Sequence, residues 1–153
     1  RDSDIVDGLV QEDSLRISWK KGHESQFYWQ ADVPADFSQM EQDGGALVME
    51  FMINKYPKGS VTQRMDCGWP CRGEIDVTEF YKSIPLRQRS KVGISLSCFK
   101  KMGVDMEKIT SPLVLVSKDE FEITFSDVRV IANASEDNTI QLCDSEVATL
   151  LQD

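Results

Sequence analysis

The sequence predicts an antiparallel β-sandwich of jelly-roll type with two short connecting helices, and three observations lead there. Apolar and polar residues alternate at period two in one segment after another, which marks strands buried on a single face. Turn residues separate these segments at short intervals, giving about eight or nine strands. Helical periodicity is confined to two brief connections.

Between Ser14 and Lys20, the residues Leu15, Ile17 and Trp19 share one face while Arg16, Ser18 and Lys20 share the other. Phe27, Trp29 and Ala31 repeat the pattern, as do Leu47, Met49, Phe51 and Ile53, and more briefly Val61 and Met65. Trp19 and Trp29 fall in phase with these apolar neighbours and belong to the core, where their indole N–H groups need partners. Ile75 to Ile84 predicts the first helix, with Asp76 as its N-cap, Glu79 at the capping-box position, Ile75 stapling onto Phe80 and Pro85 as its stop. Val92, Ile94, Leu96 and Cys98 predict a further strand. Asp105 caps a second helical turn holding Met106 and Ile109, ended before Ser111-Pro112. Leu113 to Val116 is continuously apolar, as in a strand covered on both faces or at a sheet corner. In the last long strand Phe121, Ile123 and Phe125 set an odd-numbered inner face, and Val128 and Val130 an even one. One extra residue must be absorbed near Ser126-Asp127, which is what a β-bulge does. Ile140 and Leu142 are candidates for an edge strand.

The chain has 153 residues, 17 Lys plus Arg against 26 Asp plus Glu, a formal charge of −9 and one His. A single domain of residues 1–153 is the natural reading, since a chain near this size buries roughly two-thirds of its unfolded surface without staples. A (β/α)₈ barrel, at about 250 residues, is excluded. The acidic balance, with no basic run, argues against nucleic acid, whose binding draws on cationic contacts. No window approaches about 18 consecutive apolar residues, so no membrane-spanning helix is expected. The start at Arg1-Asp2 reads as that of a processed or excised piece.

Catalytic constellations are sparse. His23 sits in a Gly-flanked polar turn, with no Gly-x-Ser-x-Gly nucleophile motif in the chain. Asp43-Gly44-Gly45 lacks the further residues of a phosphate cradle and reads as a turn. Glu74 with Asp76, and Asp4 with Asp7, are carboxylate pairs of the kind a glycosidase uses, but they fit a helix cap and solvated loops. Asp127 beside the bulge is a candidate Ca²⁺ ligand. Asn133-Ala134-Ser135 fits the glycosylation pattern of a eukaryotic source. Cys67, Cys71, Cys98 and Cys143 allow three fully paired connectivities or four reduced thiols, and zinc lacks a fitting spacing. Cys67 and Cys71 are the candidates for a local disulfide, worth roughly 2 kcal/mol at most by loop-closure entropy. What stands out is Gln63 to Glu74, where Trp69 occupies a Gly- and Pro-bent loop among Arg64, Asp66, Arg72 and Glu74. A flat aromatic face covers the C–H side of a pyranose while charged planar groups bond its hydroxyls, so these five residues are the candidate saccharide site. The competing reading has Trp69 capping the sandwich and Arg72 paired with Glu74.

The succession Leu47-Val48-Met49-Glu50-Phe51, then Met65-Asp66-Cys67-Gly68-Trp69-Pro70-Cys71-Arg72-Gly73-Glu74-Ile75-Asp76-Val77-Thr78, then Ile94 to Phe99, Met102 to Asp105, Ser111-Pro112-Leu113 and Ser126 to Arg129 resembles the C-terminal domain of bacterial exo-1,3/1,4-β-glucanases of glycoside hydrolase family three. The resemblance implies a galactose-binding-like jelly roll appended to the catalytic domains of a periplasmic or secreted enzyme. It implies no catalytic residue and no cofactor in this chain, and partners that are 1,3/1,4-linked β-glucan and the parent's own catalytic domains. The role it implies is that of a non-catalytic accessory domain that assists β-glucan binding or shapes the rim of the parent active site; the alternatives are a purely structural brace for the catalytic domains and a free-standing small glycosidase using Glu74 or another acid.

Overall fold

The structure, a computed structural model, describes residues 5–7, 14–30, 33–133 and 140–142. Two five-stranded sheets pack face to face. The first contains β1 (Ile5–Asp7), β3 (Ser25–Gln30), β8 (Ser111–Ser117), β5 (Val61–Asp66) and β6 (Arg72–Asp76), in the order β1-β3-β8-β5-β6. The second runs β10-β7-β4-β9-β2, from β10 (Ile140–Leu142), β7 (Ser90–Ser95), β4 (Ala46–Lys55), β9 (Phe121–Ile131) and β2 (Leu15–Trp19). Four strands of each sheet pair antiparallel, and β1 and β10 add to one edge of each in parallel. The antiparallel sandwich is as expected, and Ile140–Leu142 does form an edge strand.

Alternation delivers the core. Trp19, Phe27, Trp29, Phe51, Ile53, Met65 and Phe125 are all at most 2% exposed. Trp29 meets Phe27 and Phe125 edge to face, at ring separations of 4.9 and 5.5 Å, so the two sheets are joined through aromatic rings. The indole of Trp19 donates to Ser25 O at 2.9 Å, whereas the buried indole N–H of Trp29 has no partner among the described residues. The bulge falls where the phase change places it: Glu50 pairs with Asp127 but Phe51 with Phe125, leaving Ser126 as the extra residue. His23 lies exposed in a turn, and Gly44 adopts φ +84° in another.

Several local expectations need correction. The strand predicted through Cys98 stops at Ser95, and α3 (Leu96–Lys101) follows, with Ser95 Oγ accepting from Ser97 N at 3.3 Å. Leu96, Cys98 and Phe99 all point inward from that helix, so burial continues while the period changes. Asp76 closes strand β6 rather than occupying the N-cap position of α2 (Thr78–Lys82), which belongs to Val77. Its carboxylate still accepts from Thr78 N at 2.9 Å, so it orders the helix start from one residue further out. Glu74 and Asp76 therefore stand on a strand, not in a loop. Asp105 organises a hydrogen-bonded turn, not a helix, and α1 (Ser38–Gln42) was not expected. Asp4, Ala31, Ala134, Ser135 and Cys143 lie outside the described residues, and Asp7 is described only as backbone of β1.

The second sheet carries one ionisable group whose burial has to be compensated. Glu122 on β9 is 6% exposed, and burial alone would raise its carboxyl pKa. Ser18 Oγ at 2.8 Å and Arg16 Nε at 2.7 Å donate to it and outweigh that cost, holding the carboxyl below its usual range. A carboxyl whose folded pKa is lowered stabilises the fold fully above its unfolded value, about 4.3, and loses that contribution as pH falls through the folded value. Glu122→Gln is accordingly expected to reduce stability near neutral pH by about 1 kcal/mol and to flatten the acid limb, read from denaturant midpoints at about pH 7 and about pH 3. An unchanged acid limb would show that Glu122 does not carry it.

Candidate functional site

Strands β5 and β6 are joined by Cys67-Gly68-Trp69-Pro70-Cys71, a connection held at several points. Cys67 and Cys71 are bridged, with their Cα atoms 5.0 Å apart. Cys67 N donates to Cys71 O at 2.9 Å and Cys71 N to Gly68 O at 2.8 Å. Gly68 takes φ +88°, a conformation that a side chain would strain. Outside the loop, Gly68 N donates to Thr110 Oγ1 at 3.1 Å, Thr110 N to Asp66 O at 3.0 Å, and Asp105 N to Cys67 Sγ at 3.4 Å. Cys67 is fully buried, so the loop is rooted in the core. Gly73 permits the next approach: a Cβ there would lie 2.8 Å from Val104 and 3.0 Å from Met102, the segment that seats β6. Cys98 is not a free thiol either.

Upon this base Trp69 is 70% exposed, next to a cis peptide bond with Pro70. It does not cap the sandwich. Arg72 Cζ lies 4.3 Å from the Trp69 ring centroid and Arg64 Cζ 5.6 Å from it. Arg72 donates to Pro70 O at 3.1 Å and forms no ion pair with Glu74, which stands exposed. Most of the indole surface nonetheless stays open to solvent.

Arg64 and Asp66 form a forked pair, Nε to Oδ1 at 2.7 Å and Nη2 to Oδ2 at 3.2 Å, with side chains only 13% and 18% exposed. Such a pair is fixed in orientation before any ligand arrives. Arg64 Nη2 also reaches Gln26 Oε1 at 3.4 Å. Arg64 is on β5 and Gln26 on β3, so the two side chains between them span the intervening strand β8. Val114 of β8 aligns with Arg64 and Tyr28, points outward, and is still only 1% exposed. The structure thus brings Trp69, Arg64, Asp66, Arg72 and Glu74 to one outer face and its adjoining hairpin. Two cations and two anions leave the group without net charge, which suits a neutral polyol better than an anionic polymer.

Gln26, Tyr28 and Thr110 share this neighbourhood and were not singled out by sequence reasoning. The signal was available for two of them, because Gln26 and Tyr28 alternate with the inward Phe27 and Trp29. Asp127 lies on the other sheet, where its carboxylate accepts from Arg129, which also bonds Glu50 at 2.9 Å. A guanidinium there opposes a cation, and among the described residues no cluster of three or more His, Cys, Asp or Glu is placed to hold a metal ion.

Residues 2–130 match the family Exop_C, described as galactose-binding domain-like. No curated protein matches the chain by sequence. Solved structures similar to it include the extra C-terminal domain of the exo-1,3/1,4-β-glucanase ExoP from a Pseudoalteromonas species, 20% identical, with a TM-score of 0.69 over 86% of this chain and 69% of that one. The chain spans 15% of the full-length ExoP enzyme, at a TM-score of 0.67 and 20% identity. The family 30 carbohydrate-binding module of the cellulosomal cellulase Cel9D-Cel44B of Clostridium thermocellum is 19% identical, with a TM-score of 0.63 over 82% of this chain and 76% of that module. At these identities the likeness shows a shared fold.

The rooting of the hairpin can be tested directly. Replacing Cys67 and Cys71 together by Ser is expected to lower stability by about 2 kcal/mol or less, read from denaturant midpoints. Amide exchange should rise at residues 66–72 and not in β4 or β9; a uniform rise would mean that the bridge acts on the whole fold.

Proposed function

The chain belongs to the galactose-binding-domain-like family Exop_C, and on that premise we propose that it is a non-catalytic, carbohydrate-binding accessory domain of a larger glucan-hydrolysing enzyme. Its ligand is 1,3/1,4-linked β-glucan and its permanent partners are the catalytic domains of the parent chain. The observation that carries this reading is Trp69, an indole 70% open to solvent on a disulfide-closed hairpin, with two guanidinium groups within 5.6 Å of its ring. A sugar ring laid on that indole sheds water from its C–H face, while Arg64, Asp66, Arg72 and Glu74 offer donors and acceptors to its hydroxyls. The relatives support it too, one being a domain of an exo-1,3/1,4-β-glucanase and another a carbohydrate-binding module. Hydrolysis then belongs to catalytic domains outside this chain. The Cys67–Cys71 bridge agrees with an oxidising compartment, so the parent acts in the periplasm or outside the cell.

An exposed Trp also favours a second reading, in which it is buried against a catalytic domain and the chain only braces its parent. Calorimetry and affinity electrophoresis with soluble mixed-linkage β-glucan separate the two. The carbohydrate reading expects measurable binding that Trp69→Ala weakens at least tenfold, about 1.4 kcal/mol, with an unchanged melting temperature because the ring is exposed. It also expects affinity to change little between low and physiological salt, the site being neutral overall. No binding by the unaltered chain would remove the glucan role and leave the brace.

A further inference from the structure

We propose that the glucan site does not end at Trp69 but continues across the strands of the first sheet, with Tyr28 as a second aromatic platform, so that the ligand is the interior of a linear chain rather than a single sugar or a chain end. This rests on the carbohydrate reading above and specifies it. The ladder aligns Tyr28 of β3 with Val114 of β8, Val114 with Arg64 of β5, and Arg64 with Glu74 of β6. Aligned residues point to the same face, and the inward burial of Phe27, Trp29, Met65 and Leu113 puts this row on the outside. Its neighbouring row carries Gln26, Val116, Thr62 and Asp76.

Three features make that row a track rather than an ordinary sheet surface. The first is its floor: Val114 is 1% exposed although it faces outward, and it stands on the strand that the Arg64–Gln26 hydrogen bond spans. The second is polar continuity. Arg64 is 5.6 Å from the Trp69 ring at one end and hydrogen-bonded to Gln26 at the other, so donors and acceptors run without a break from the hairpin to β3. From β5 to β3 is two strand spacings, roughly 9–10 Å, which exceeds one pyranose ring. The third is Tyr28 itself. Its side chain is partly exposed, its ring contacts no other ring and its hydroxyl has no hydrogen-bond partner among the described residues, although Trp19, Phe27, Trp29, Phe121 and Phe125 are each engaged with another ring. A ring and a hydroxyl both left free at the far end of a polar track match what Trp69 and Arg72 offer at the near end.

The test is a length series of gluco-oligosaccharides with mixed 1,3 and 1,4 linkages, from disaccharide to hexasaccharide, titrated calorimetrically into the chain and its variants. Affinity should rise with length. Tyr28→Ala should weaken the hexasaccharide by roughly tenfold while leaving the disaccharide unchanged, and Tyr28→Phe should keep most of the hexasaccharide affinity. Trp69→Ala should weaken both ligands. Amide shifts in the unaltered chain provide a measurement that does not depend on a variant folding: residues 26–28 should move with the hexasaccharide and stay still with the disaccharide. Full affinity already reached with the disaccharide, or residues 26–28 unmoved by the hexasaccharide, would overturn the extended track while leaving glucan binding at Trp69 intact. Failure of the unaltered chain to bind any member of the series would instead bring down the carbohydrate reading, and this proposal with it.

Discussion

Everything in this domain depends on two sheets burying their inner faces against each other. A strand offers alternate residues to opposite sides, so the inward half of each strand is committed to the core and the outward half is free for other work. Phe27 and Trp29 illustrate the division. They meet each other and Phe125 across the sandwich, and by doing so they turn Gln26 and Tyr28 the other way. The outer face proposed for recognition is a consequence of core packing, and its residue types can vary without touching the interior.

The hairpin between β5 and β6 solves a different problem. A large aromatic ring exposed to water gains nothing for stability, and a loose loop would lose conformational entropy on binding. Here the disulfide, the backbone bonds within the loop and the ties to Thr110 and Asp105 meet that cost during folding. Arg64 is fixed in the same manner by Asp66. Trp69 and the polar groups around it are thus held in place by the fold itself.

Charge is handled locally in both sheets despite the overall acidity of the chain. Glu122 is compensated by Arg16 and Ser18, Asp66 by Arg64, and Asp127 with Glu50 by Arg129. The last of these explains why an acidic residue beside a bulge need not signal a cation site: the bulge does re-aim the strand, but an arginine two residues on takes up the carboxylate.

The period-two pattern determined by itself the sandwich, most strand positions and the bulge at Ser126, because burial on one face is written directly into alternating residue types. It also marked Trp69 and its ionic neighbours, since a Trp between Gly and Pro in a cysteine-bounded loop has no apolar phase to join. It misled at Cys98, where inward residues continue the alternation into a helix, and only Ser95 as N-cap and Phe99 at helical spacing hinted at the change. Asp76 misled similarly, because a carboxylate bonding the first helical residue can sit at the end of a strand. Three things required the tertiary structure: the pairing of β5 with β8 and of β8 with β3, the hydrogen bond of Arg64 with Gln26 across β8, and the placing of Tyr28 on the same face as Arg64. Such relations join residues far apart in the chain, and strand order depends on how whole sheets close over a common core, which no local run of residues encodes.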